Sequence, residues 1–256
     1  MIQPPARRAG RWGARVLLLA AITAVAGCGS NEAEVEQAHL ASSEALRQRD
    51  YPAAILAARR AVALDARHAG AWFNLGAAHA RLENWTESIE AYDRAIEIEP
   101  QNRKAVNNLA NVYFRQGRYD LAADWYARAL AIDPDYLLAT FHHGYVLRQL
   151  NRVDDAERAF RHCLDLKAEN DREKRTHLDC LFYLGSIRFR RGDYADSARI
   201  MEDVLRAWPA HAEARHFLGL SYRQLGRLED AVRELGRHQQ IVHARRSEPI
   251  PEPEEP

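Results

Sequence analysis

The chain has 256 residues, with 36 basic and 36 acidic side chains, eleven histidines and three cysteines. That balance leaves no basic stripe of the kind a phosphate backbone requires, which excludes nucleic acid as a partner. The cysteines form no Cys-x-x-Cys pair, which excludes thioredoxin-like redox chemistry and haem attachment.

Arg7, Arg8, Arg11 and Arg15 precede any acidic residue, and an apolar run from Val16 to Ala26 leads into Val25-Ala26-Gly27-Cys28. A basic start, a short apolar core and small residues at its end read as a secretory signal over residues 1–27. The run is too short to be a transmembrane anchor, which needs about 20 apolar residues. Its end resembles the lipobox of bacterial lipoproteins. That resemblance implies a diacylglycerol on Cys28, which becomes the new N-terminus and holds the chain on a membrane. Gly29 stands where an aspartate would retain many such proteins in the inner membrane, so the analogy favours the outer membrane. Residues 28–34 are expected as a tether; its six residues Gly29 to Glu34 reach at most about 20 Å. Loss of the four signal arginines leaves the remainder four charges negative.

From Val35 the chain repeats with a step of 34 residues. Six units fit, at 35–68, 69–102, 103–136, 137–170, 178–211 and 212–245. Position 8 is always small: Ser42, Gly76, Ala110, Gly144, Gly185 and Gly219. Position 20 is small as well, and position 24 is bulky in Tyr92, Tyr126, Phe160, Met201 and Leu235. Proline at position 32 (Pro100, Pro134, Pro209) stops the second helix of three units. Gly117, Asn151, Gly192 and Gly226 fall in the turn between the two helices, where a left-handed conformation suits them. A fixed step of this length means one helix-turn-helix unit stacked on copies of itself.

These residues match the W-x2-L-G-x2-Y…A-x3-F…A-x4-P pattern of the tetratricopeptide repeat (TPR) family nearly throughout residues 69–136, and the chain resembles that family. The resemblance implies an all-α, right-handed α-solenoid of about six TPR units over residues 35–245. It further implies that the first helix of every unit lines the concave face, where partners bind.

The period breaks once, at the charged, helix-compatible stretch Asp171 to His177. It is expected to extend the first helix of repeat 5 by about two turns. Cys163, on the second helix of repeat 4, and Cys180, on the first helix of repeat 5, fall on neighbouring elements. They either form a disulfide across the interruption or remain two buried thiols. Beyond residue 245 the tail alternates proline with acid and reads as an extended, solvated end.

No constellation of nucleophile, base and orienting partner appears, and the eleven histidines show no metal-ligand spacing. No enzyme activity, cofactor or metal is expected. The candidate surface is the first-helix face. Its positions read Phe73 and Asn74 in repeat 2; Lys104, Asn107, Asn108, Asn111 and Phe114 in repeat 3; Phe141, His142, Tyr145 and Arg148 in repeat 4; Phe182, Tyr183 and Phe189 in repeat 5. Asn74 and Asn108 occupy position 6 of consecutive units. They resemble the asparagine ladder of the O-linked N-acetylglucosamine transferase superhelix, whose amides grip an extended peptide backbone. The resulting expectation is an envelope adaptor holding a protein or peptide segment. The alternative is a component of polysaccharide export whose aromatics stack on sugar rings.

Overall fold

The computed structural model describes residues 31–247; the signal segment, Cys28 and the tail from residue 248 lie outside the described residues. Among the described residues there are twelve α-helices and no strand. They are α1 (residues 31–47), α2 (Tyr51–Leu64), α3 (Ala69–Arg81), α4 (Trp85–Ile98), α5 (Arg103–Arg115) and α6 (Tyr119–Ile132), followed by α7 (Leu137–Gln149), α8 (Val153–Asp165), α9 (Asp171–Arg190), α10 (Tyr194–Ala207), α11 (Ala212–Gln224) and α12 (Leu228–Ser247). The architecture is an all-α helical repeat solenoid, with odd-numbered first helices and even-numbered second helices. The chain forms two compact units, one running to Val112 and one starting at Tyr113.

Helix α1 already includes residues 31–34, so the last four residues expected as tether are helical. Val35 and Ala38 are buried while residues 31–34 are exposed, which explains why the apolar repeat pattern starts later than the helix. At the other end α12 runs to Ser247 and takes in the first two residues of the expected tail.

The positional rules of the repeat become contacts. In the first unit, alanines at facing positions (Ala45, Ala54 and Ala78; Ala38, Ala61 and Ala71) let α1, α2 and α3 approach closely. Gly76, at position 8, lies under the ring of Tyr92, at position 24; a Cβ there would sit 2.9 Å from the ring. The second unit repeats this pairing, with Gly144 against Phe160 and Gly185 against Met201. Small and bulky positions are therefore two halves of one contact.

Each repeat turns at position 15 through a left-handed residue: Gly117, Gly192 and Gly226, but also Arg49, Glu83 and Asn151. Geometry rather than residue type is invariant there.

The interruption behaves as its composition predicts. Asn170 caps α9 by accepting from the Glu173 N–H at 3.0 Å, and α9 runs for 20 residues from Asp171. Two devices then hold α8 to α9. Cys163 and Cys180 form a disulfide, Sγ–Sγ 2.11 Å, in a fully buried setting. The buried Glu157 carboxylate meets Arg161 at 2.6 Å and Arg188 at 2.5 Å, and also Arg191, which in turn pairs with Asp154. A buried carboxylate keeps its charge at tolerable cost when several guanidiniums surround it.

Candidate functional site

In the first unit the expected face is only partly available. Asn74 is buried, and its amide donates to the Ser42 and Ser43 hydroxyls at 2.7 and 2.8 Å. This corrects the expected ladder: the serines of repeat 1 consume the donor that would hold a peptide. Asn107 is also buried; its amide faces the Asn108 Oδ1 at 3.4 Å, and its own Oδ1 has no partner. Asn108 and Asn111 remain half-buried and Lys104 is exposed.

A cavity of about 440 Å³ opens in this unit between Arg47, Arg49, Arg81, Phe73, Tyr51 and Asn108. Phe73 is fixed there edge-on to Tyr92, with ring centroids 5.8 Å apart. No carboxylate belongs to the cavity wall. Arg47 is tied to Glu44 at 2.6 Å, whereas Arg49 and Arg81 have no ion-pair partner among the described residues.

In the second unit the aromatic residues of the first helices form one connected row. Phe114 meets Tyr145 edge-on at 5.6 Å, Tyr145 meets Tyr183 at 5.3 Å, and Tyr183 contacts Phe182 at 5.2 Å. Phe182 and Phe189 both contact Phe217, at 5.9 and 5.5 Å. Phe141 lies beneath this row and reaches Phe160 in the core. Every one of these rings except the core Phe160 is half-buried, neither core nor free surface. Edge-to-face geometry explains how so many rings pack without closing into a core.

His142 stacks on Tyr126 with centroids 5.8 Å apart. Burial, and then the charge of Arg172, pushes its pKa down to about 4, so it is a neutral imidazole at pH 7. Tyr183 stacks on Phe160, and burial lifts its hydroxyl to about 12. Arg148 lies over both Tyr145 and Tyr183, at 5.1 and 4.8 Å from the ring centroids. Its Nε is buried without an acceptor, and no described carboxylate pairs with it.

Among the described residues one group has metal-ligand residue types: Glu36, His39 and His68. His68 Nδ1, however, accepts the Ala71 N–H at 3.0 Å as the cap of α3. Its proton therefore sits on Nε2, 3.7 Å from Glu36, so a metal there would displace the cap. No described helix is long and apolar enough to cross a membrane.

The repeat register points to the aromatic row but not to Arg49, which sits in the turn after α1. Arg47 and Arg81 do carry a signal, since arginine is the last or next-to-last residue of all six first helices (Arg47, Arg81, Arg115, Arg148, Arg190, Arg223).

Paired helices, a 34-residue step and a partly open first-helix face are the features of a repeat-built binding module. Two tetratricopeptide repeat family models match the chain, one over residues 67–135 and 102–169, the other over 183–238. The chain belongs to the tetratricopeptide repeat family. No curated protein matches it. Among solved structures it is similar to PilF of Pseudomonas aeruginosa, at 14% identity and a TM-score of 0.69 over 83% of this chain and 93% of that one. It is also similar to PilW, described as a widely conserved type IV pilus biogenesis factor, at 18% identity and a TM-score of 0.64 over 80% and 92%. A third is YrrB, described as a TPR protein with an unusual peptide-binding site, at 21% identity and a TM-score of 0.59 over 74% and 97%. At such identities the likeness shows the fold.

Proposed function

We propose that this chain is an adaptor that captures a segment of a partner protein on its first-helix face, tethered to a bacterial envelope membrane through lipid on Cys28. The carrying observation is the row Phe114, Tyr145, Tyr183, Phe182 and Phe217 of the second unit, rings that are half-buried and mutually braced. Braced aromatics bind with little loss of side-chain freedom, which is why such residues dominate protein interfaces. In the first unit Phe73, Asn108 and Asn111 take the same role, with Lys104 at the rim; Asn74 is a structural residue.

The solved relatives support the reading at the level of type, since one is described as peptide-binding and another as a pilus biogenesis factor. The basic, apolar, small-residue start ending at Cys28 supports the anchor, and with it the outer membrane facing the periplasm. The glycan alternative is less favoured, because sugar stacking needs open ring faces: Tyr183 presents one to Phe160, and Arg148 covers Tyr145 and Tyr183. Affinity capture from the envelope of the source cell, with wild type and a Tyr145→Ala, Phe189→Ala variant, tests the proposal. The expected result is a protein retained by wild type and lost by a variant of unchanged helicity. Equal retention by both removes the face from the account.

A further inference from the structure

We infer that the segment captured on the first-helix face is acidic, an extended chain whose carboxylates pair with arginines set at one edge of that face. The inference rests on the adaptor reading and names the chemistry of its partner.

Three observations converge on it. Arginine ends every first helix, at position 12 or 13 of the repeat, so one such charge stands at the same end of each unit. A cation in the last helical turn is favourable by about 0.3–1 kcal/mol, which accounts for its presence but not for its surroundings. The surroundings are the second observation. On α8, α10 and α12 the arginines Arg158, Arg161, Arg199, Arg206, Arg233 and Arg237 each meet a carboxylate. On the first helices of the same unit Arg188 and Arg215 also meet carboxylates, but the helix-ending Arg148, Arg190 and Arg223 meet none among the described residues. Thirdly, the first unit adds two more arginines that meet no carboxylate among the described residues, Arg49 and Arg81, in the wall of one cavity.

The geometry narrows the partner further. Helices α7, α9 and α11 pack in sequence, and Arg148, Arg190 and Arg223 stand at the same end of each. Packed helices lie about 8–10 Å apart, and a polyproline II chain advances about 9 Å in one turn of three residues, which returns every third side chain to the same face. Carboxylates at every third residue would therefore meet successive arginines. Glu213 sits at the start of α11, at the opposite end of that helix from Arg223, and repels acid there. This polarity fixes which edge the acidic side of the segment follows. Arg148 anchors it: its guanidinium is held over two tyrosine rings, which positions it for a carboxylate.

The test uses the full chain purified in detergent and fluorescent twelve-residue peptides of repeated Glu-Pro-Pro, Gln-Pro-Pro and Lys-Pro-Pro, with an oligogalacturonate as carboxylated glycan. The Glu peptide is expected to bind, with affinity falling as salt rises, and the other peptides and the glycan are not. Arg148→Gln, Arg190→Gln, Arg223→Gln together should weaken binding about tenfold or more, since each lost charge-assisted pair is a substantial share of a peptide's affinity. The Arg190, Arg223 double variant changes only exposed side chains, so it retains the fold and should show an intermediate loss. Equal binding of Glu and Gln peptides, or binding of the glycan in place of the Glu peptide, overturns the inference. Envelope capture that survives the triple variant also overturns it while leaving the adaptor reading in place; capture lost only with the aromatic variant separates the two.

Discussion

Replacing Cys163 and Cys180 together by alanine removes the covalent clamp at the one irregular junction of the repeat array. Both residues are fully buried, so alanine is preferred to serine, whose hydroxyl would need a partner. The cysteines are 17 residues apart in sequence, and chain entropy for a loop of that size gives about 3 kcal/mol of stabilisation. Unfolding entropy of about 2 cal/mol/K per residue, over a unit running from Tyr113 to Ser247, converts this into a fall of about 10 °C in melting temperature. Because repeat arrays unfold by neighbouring segments, the loss should concentrate at the end of α8 and the start of α9. Circular dichroism melts of the wild type and the double variant, each with and without reductant, measure the total; amide exchange over residues 163–180 localises it. Reductant should lower the wild type to the level of the variant and leave the variant unmoved. Identical melts for all four samples would refute the clamp, and Glu157 with its arginines would then be the sole fastener.

Three further outcomes follow from contacts at single residues. Gly76→Ala places a methyl 2.9 Å from the buried Tyr92 ring and should cost about 1–3 kcal/mol in a denaturant melt; no loss would mean the ring can retreat. Gly192→Ala meets nothing within 4 Å but stands at φ 85°, so its cost of about 1 kcal/mol is backbone strain alone, and a neutral result would contradict the turn geometry. His142 has a folded pKa of about 4, below the 6.5 of the free side chain, so its neutral form contributes stability that is complete above pH 6.5 and is lost as pH falls through 4. Two-dimensional NMR of the imidazole at pH 5.5 should show it neutral; titration near 6.5 would place it in solvent.

What the sequence revealed and what it hid divide along a physical line. The register, the turns and the pairing of position 8 with position 24 were legible because each is enforced by sterics that recur at every step, as Gly76 under Tyr92 and Gly144 under Phe160 show. The extension of α9 was legible because residues 171–177 contain no helix breaker. The fate of Asn74 was not, since it depends on the hydroxyls of Ser42 and Ser43 in the preceding repeat, and position 8 demands only that Ser42 be small. The same holds for Arg49 and Glu83, which adopt the left-handed turn without the glycine that would announce it. Cys163 and Cys180 lay between these cases. Their helices were assignable from the register, but their proximity depended on the interruption extending α9 instead of displacing it.

Binding on the first-helix face requires that this face, and not the second-helix face, meets the partner. A photo-crosslinking side chain placed in the source cell at Arg190 or Asn111, on first helices, and at Ala127 or Arg199, on second helices, reads this directly. The first pair should yield a discrete adduct with another protein, and the second pair none. Adducts arising equally from Ala127 or Arg199, or absent from Arg190 and Asn111 alone, would contradict binding on the first-helix face.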